Sequence, residues 1–278
     1  LENLGFKCSI KNSNIDILVP SHRPDIEAPS DIVEEIIRIY GFDKIKPISL
    51  LKLKNQKEDT LSSNLKSFYK SKRLIANRGY LETITYSFMD EKEADFITNN
   101  NSIKIKNPIS SDLSTMRPST FPNLLSAINL NLSRNYSSGK LFEVGPNFYG
   151  TNDEDQMMVA TGIQYGPINS SNWYSKSRNT DVYDIKSDLF YVLEQLNVPV
   201  DKVQYEKLQK NKIFHPGKSN VLCLGKNNIA NFGEISPLIL NRFDIKISVY
   251  GFEIFLENLD QFQIKKTSTK KYYDNNPL

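Results

Sequence analysis

The chain has 278 residues, 39% of them hydrophobic and 24% charged, which is enough apolar material for one large domain or two ordinary ones and too much for a disordered chain. Its formal charge of +3 is too small to argue by itself for nucleic-acid binding. No run approaches the roughly 18–20 apolar residues that a bilayer-spanning helix needs.

The opening residues Leu1-Glu2-Asn3-Leu4-Gly5-Phe6 lack the initiator Met, basic region and apolar run of a signal peptide, and read as a start inside a longer chain. Cys8 and Cys223 stand far apart in no CxxC or Cys/His spacing, so neither a disulfide framework nor a zinc site is indicated. Two histidines, His22 and His215, leave little material for a His-based metal or triad site. The plain expectation is a soluble cytoplasmic protein with no membrane partner.

The first segment, residues 1–47, begins with short β-type runs at Cys8–Ile10 and Ile15–Val19 around the turn-rich Lys11-Asn12-Ser13-Asn14, a hairpin pattern. Pro20-Ser21-His22-Arg23-Pro24 ends the second run. A helix is expected over Asp31–Tyr40, stopped by Gly41. Residues 48–60 turn polar and read as a connector. A second helix is expected near Leu61–Asn77, with Leu61, Leu65, Phe68 and Ile75 in step, and Leu81–Phe88 alternates like a strand. The polar loop Asn107–Asp112 leads through Arg117 to a helix opened by Thr120 and Pro122. Strands follow at Lys140–Val144 and Met157–Tyr165, and then a helix at Val182–Leu196. A hairpin of Asn220–Leu224 and Ile229–Ile235 comes next, with a last strand at Ser248–Phe255. Residues 265–278 are a polar tail. Strands joined mostly by hairpins, with helices scattered among them, predict an α+β domain: an antiparallel sheet flanked by helices.

One constellation carries chemistry: Asp25, Asp31, Glu34 and Glu35. On a helix, Asp31, Glu34 and Glu35 fall at about 0°, 300° and 40°, while Ile32, Val33, Ile36, Ile37 and Tyr40 fall at about 100–240°. One side of that helix is therefore expected to be buried and the other to show carboxylates, with Asp25 folding back from the loop. Spacing alone leaves two readings. Acidic residues in a first turn complement the helix dipole, and Asp31 with Glu34 resembles a capping box, which is the stronger of the two. Four crowded carboxylates also repel, raise one another's pKa, and suit a hard cation such as Mg²⁺.

The block Val19-Pro20-Ser21-His22-Arg23-Pro24-Asp25-Ile26, with Asp31-Ile32-Val33-Glu34-Glu35-Ile36-Ile37-Arg38-Ile39-Tyr40-Gly41-Phe42, resembles a long signature of bacterial phenylalanyl-tRNA synthetase beta subunits. Further blocks agree in the family's order: Asn77-Arg78-Gly79-Tyr80, Asn107-Pro108-Ile109-Ser110-Ser111, Leu141-Phe142-Glu143-Val144-Gly145, His215-Pro216-Gly217-Lys218-Ser219 and Gly233-Glu234-Ile235-Ser236-Pro237. The resemblance implies a winged-helix-like module of DNA-binding type at 1–47, truncated at its start. After the connector it implies a class II synthetase-like, catalytically inactive domain at 61–264, with 265–278 leading toward an anticodon-binding domain. It also implies Mg²⁺ ligands at Asp25, Asp31, Glu34 and Glu35, an ion shared with the catalytic alpha subunit. ATP would be bound by alpha, and the partners would be that subunit, in a heterotetramer of two alpha and two beta, and tRNA(Phe).

Class II catalysis needs arginines whose planar fork pairs with phosphate. The strand at Leu141–Val144 continues as Gly145-Pro146-Asn147-Phe148-Tyr149-Gly150 with no arginine, and Val249-Tyr250-Gly251-Phe252-Glu253-Ile254 has none either. Arg117 and Arg242 sit at no matching position. No catalytic residue and no ATP-binding residue is therefore expected in this chain. His215, before Pro216-Gly217, reads as a turn residue, and Arg117 as either a structural hub or an intersubunit contact. Two other functions stand beside the subunit reading: a nucleic-acid-binding module built on the winged-helix-like segment, and a free-standing paralogue binding a small molecule in the old cleft. The acidic face of the Asp31 helix argues against the first of these, because it would repel phosphates.

Overall fold

A computed structural model describes residues 1–12, 14–49, 61–99, 101–169, 173–208 and 211–262, and the chain divides into two units, Leu1–Glu58 and Asp59–Leu278. Most of the expected connector and all of the expected tail lie outside the described residues.

In the first unit, β1 (Lys7–Lys11) and β2 (Asn14–Leu18) form an antiparallel hairpin with Lys11 opposite Asn14. The helix α1 spans Pro29–Tyr40 and ends at Gly41, whose φ of 106° lies in the region that favours glycine. The expected burial of α1 is reversed: Val33, Ile36, Ile39 and Tyr40 are exposed, and Glu35 is the buried residue of the helix. The hairpin offers little surface to pack on, while two arginines draw Glu35 inward.

The second unit contains α2 (Ser63–Asn77), β3 (Leu81–Glu82), β4 (Phe88–Met89), α3 (Glu91–Thr98), β5 (Thr115–Met116) and α4 (Phe121–Ser133). It continues with β6 (Gly139–Phe148), β7 (Gln156–Tyr165), α5 (Val182–Gln195), β8 (Gln204–Lys207), β9 (Phe214–Leu224), β10 (Asn227–Ile235), α6 (Pro237–Arg242) and β11 (Val249–Phe255). Seven strands form one sheet in the order β3-β6-β7-β11-β10-β9-β8. Every pair in it is antiparallel except β3 with β6, which makes the sheet mixed. The alternating run 81–88 does not form one strand. Only Leu81 and Glu82 pair with β6. Beyond them Thr83 donates its amide and its hydroxyl to the Phe142 carbonyl, at 2.7 and 3.0 Å.

Helices cover both faces of the sheet. On one, Ile75 of α2 and Ile185, Leu189 and Val192 of α5 pack on Phe142, Ala160, Phe252 and Leu222. On the other, Phe121, Leu124 and Ile128 of α4 and Ile239 of α6 pack on Ile163, Val249 and Phe214. Asp188 of α5, buried, ties three elements together: it accepts from Arg78 Nε at 2.7 Å, Tyr80 Oη at 3.0 Å and Lys140 Nζ at 3.0 Å. Three donors on one carboxylate make that burial affordable in free energy.

Candidate functional site

The four carboxylates of the first unit do not share one point. Arg23 reaches two of them. Its Nε donates to Asp25 Oδ1 at 2.9 Å, and its Nη2 donates to Asp25 Oδ2 and to Glu35 Oε1, both at 2.7 Å. Arg38, one turn beyond Glu35, donates from Nη2 to Glu35 Oε2 at 2.5 Å. Asp31 turns back on the helix start, where its Oδ2 accepts the amides of Ala28 at 2.8 Å and Glu27 at 2.9 Å. That is the dipole-complementing role that spacing suggested for it. Among the described residues Glu34 has no such partner.

The crowding that should raise these pKa values is outweighed. Hydrogen bonds from Arg23 hold Asp25 and Glu35 below the usual carboxylate range, with Arg38 adding to the effect on Glu35. The amides of Ala28 and Glu27 do the same for Asp31. Among the described residues no group of three or more carboxylate, Cys or His side chains is arranged to hold a metal ion. A Mg²⁺ ion needs near-octahedral oxygen ligands at about 2.0–2.1 Å. As they stand, Asp25, Asp31, Glu34 and Glu35 do not fit one: a guanidinium lies between Asp25 and Glu35, and Asp31 is committed to backbone.

The second unit carries a polar row across its sheet. Asn231 of β10 faces Glu253 of β11, Glu253 faces Thr161 of β7, and Thr161 faces Glu143 of β6, all four buried. Arg117, 1% exposed, is the counter-ion of this row. Its Nη1 donates to Glu143 Oε1 at 2.6 Å and to Thr85 Oγ1 at 3.1 Å, and its Nε donates to the Pro146 carbonyl at 2.9 Å. Thr85 in turn donates to Glu143 Oε2 at 2.7 Å and accepts from Asn123 Nδ2 at 2.9 Å. Among the described residues no cation pairs with Glu253. It accepts from Asn147 Nδ2 at 3.0 Å and from Asn231, and burial pushes its carboxyl up to about 7.

This face is filled by the chain itself. A Cβ at Gly145 would run into Arg117 Nη2, and one at Gly251 into the Phe121 ring, so both glycines are required by close approach rather than by any ligand. Phe121 also packs edge-on against Phe214, with ring centroids 5.1 Å apart. Of the two roles read for Arg117, the structural hub matches these contacts. His215 lies not in a turn but in β9, at the irregular stretch where the register with β10 shifts, and its Nδ1 accepts the Gly217 amide at 3.0 Å.

An open groove in the second unit lies elsewhere. Its volume is about 690 Å³, and it is lined by Ile84, Tyr86, Phe88, Met89, Pro122 and Phe243, with Asp90, Glu93 and Asp112 among its polar residues. Ile84 is 88% exposed and Tyr86 70%. Thr83 and Thr85 are bonded inward, so the residues between and after them point out. The alternation of residues 81–88 predicts a strand and so hides a surface of this kind. Glu143, Asp188 and Glu253 were also missed as buried charges. The signal available for Glu143 and Glu253 was a lone carboxylate inside an otherwise apolar strand run, and for Asp188 a carboxylate beside Leu189 on the apolar stripe of α5.

Comparison with known proteins adds the following. The profile of the phenylalanyl tRNA synthetase beta chain CLM domain matches residues 49–256, and that of the tRNA synthetase B5 domain matches residues 1–42. The phenylalanine–tRNA ligase beta subunit of Rickettsia bellii is 40% identical over 260 residues, which cover 93% of this chain and 29% of that protein. The beta subunit of Rhodospirillum rubrum is 37% identical over 256 residues, 91% of this chain and 32% of that protein. The chain thus spans about a third of the length of these relatives. Among solved structures, the pyrrolysyl tRNA synthetase PylSc of Desulfitobacterium hafniense superposes with a TM-score of 0.53 at 13% identity, covering 71% of this chain and 67% of that one. At that identity the likeness is one of fold. Among the described residues no helix is long and apolar enough to cross a membrane.

Proposed function

The chain belongs to the phenylalanyl-tRNA synthetase beta-chain family, and from that premise we propose that it is a scaffold for the catalytic alpha subunit of a phenylalanine–tRNA ligase. In this reading two alpha and two beta chains assemble in the cytoplasm and act on tRNA(Phe), and the alpha subunit binds ATP and activates phenylalanine. The winged-helix-like module is residues 1–47, and the inactive synthetase-like domain is 61–264.

The observation that carries the reading is the filled sheet face. In a synthetase-like fold a substrate has to lie against the sheet, and here Arg117 and Phe121 lie on Gly145 and Gly251 in its place. The phosphate-pairing arginines that the reaction calls for are missing from β6 and β11. The apolar groove at Ile84 and Tyr86 is then the surface assigned to the alpha subunit, since large exposed apolar side chains gathered in one groove mark a binding surface. The nucleic-acid reading of residues 1–47 is the weaker one: α1 shows Glu34 and apolar side chains, and its Arg38 is tied to Glu35.

The purified chain alone is expected to give no phenylalanine-dependent exchange of pyrophosphate into ATP. Exchange from the chain without alpha, abolished by a substitution on the sheet face such as Gly145→Val, would overturn the proposal.

A further inference from the structure

We propose that Arg23 is the first unit's own counter-cation, standing where a divalent ion would have to stand, so that this unit holds its acidic face together without metal. The inference goes beyond the scaffold reading and does not depend on it.

The geometry is that of a clamp. Arg23 follows the β2 strand by a few residues and precedes Asp25 by two, so its side chain can fold over its own loop. Nε and Nη2 fork onto the Asp25 carboxylate, and the same Nη2 reaches Glu35 of α1. A planar guanidinium suits this task because it donates along two directions at once without changing shape. Glu35 is then saturated from the other side by Arg38. Charges balance locally: Asp25 and Glu35 face Arg23 and Arg38. Asp31 stays out of the clamp, held by the Glu27 and Ala28 amides, and so fixes the start of the helix that carries Glu35.

The clamp has a structural task that the acidic residues alone do not suggest. It is the link between the loop at Pro20–Pro24 and the buried side of α1, in a unit whose hairpin buries little. Glu35 is the only residue of α1 that is buried, and Arg23 is what makes that burial tolerable. For a Mg²⁺ ion to bind Asp25 and Glu35 together, the arginine would first have to withdraw, because two cations cannot share the space between the same two carboxylates.

The test uses the 278-residue chain, with Mg²⁺ and Mn²⁺ alone as probes. Wild type is expected to unfold at the same temperature in EDTA and in millimolar Mg²⁺, and to show no saturable Mn²⁺ binding by electron paramagnetic resonance. Arg23→Gln uncovers the pair, and is expected to show the saturable Mn²⁺ binding that the wild type lacks. It should also lose thermal stability in EDTA and regain part of it in Mg²⁺. Saturable Mn²⁺ binding by the wild type, displaced by Mg²⁺ and lost in Asp25→Asn, would overturn the proposal whether or not the Arg23 variant folds. An Arg23→Gln chain that folds as well as wild type in EDTA, and gains no metal affinity, would overturn it as well.

Discussion

Replacing Arg117 with leucine is expected to cost the second unit about 3–5 kcal/mol, the range for breaking a buried ion pair by removing one partner. Arg117 and Glu143 are 1% and 6% exposed at the side chain, so the surviving carboxylate would have neither water nor a counter-ion. The Pro146 carbonyl would lose its donor at the same time, and Thr85 one of its three partners. The chemistry of the loss separates it from a simple packing defect. Removing both charges, as Arg117→Leu with Glu143→Leu, is expected to restore much of the stability, since an apolar pair of similar volume leaves no unpaired charge. Urea unfolding followed by circular dichroism reads both variants. If the double variant were as unstable as the sum of the two single ones, the ion pair would not be the cause.

Glu253 makes the second large prediction, and its sign is opposite to that of most carboxylates. Its folded pKa, pushed up to about 7 by burial, lies above the ordinary value of 4.5 that it regains on unfolding. The folded state therefore keeps a proton that the unfolded state gives up. The stability from the neutral acid is fully present below the unfolded pKa and is lost as pH rises through about 7. The whole change amounts to roughly 3 kcal/mol. The groups facing Glu253 are amides and hydroxyls: Asn147 donates to it, Asn231 and Thr161 stand opposite it across the sheet, and Tyr149 feels its charge. Glu253→Gln keeps the shape and removes the proton. It should therefore match wild type near pH 4 and exceed it in stability at pH 8. Asp25, Asp31, Glu35 and Asp184 have lowered pKa values and lose stability in acid instead, so the comparison is the difference between the two chains at each pH. A difference that stays flat with pH would mean that Glu253 is ionised in the fold.

The large elements were legible because they bury one face with a clear period. Met157–Tyr165 and Val182–Leu196 lie close to where the pattern puts them, and the hairpin around Gly225 forms, although its first strand begins at Phe214 rather than Asn220. What escaped the pattern was short, with too few residues to set a period. The strand β8 is Gln204-Tyr205-Glu206-Lys207, exposed throughout at the sheet edge, and α3 is a short charged helix capped by Asp90. The run 81–88 alternates correctly, yet its inward threonines bond to β6 through side chains, and its outward Ile84 and Tyr86 line the groove. At the acidic site the grouping of carboxylates was legible and their partners were not. Arg23 stands two residues from Asp25 and twelve from Glu35, and nothing in helical spacing says that one guanidinium will join them. The same holds for Glu253, whose environment is assembled from three strands.

Sizing chromatography tests most directly the proposal that an alpha subunit covers the second unit. The chain mixed with the matching alpha subunit is expected to elute as one larger species, and Ile84→Asp, which places a charge on an exposed apolar side chain of the groove, should return both proteins to their separate positions. Ile84 is 88% exposed, so that change should leave the fold of the isolated chain intact. Separate elution of the wild-type chain and alpha would contradict the scaffold role, and unchanged co-elution of the Ile84→Asp chain would contradict the assignment of the groove.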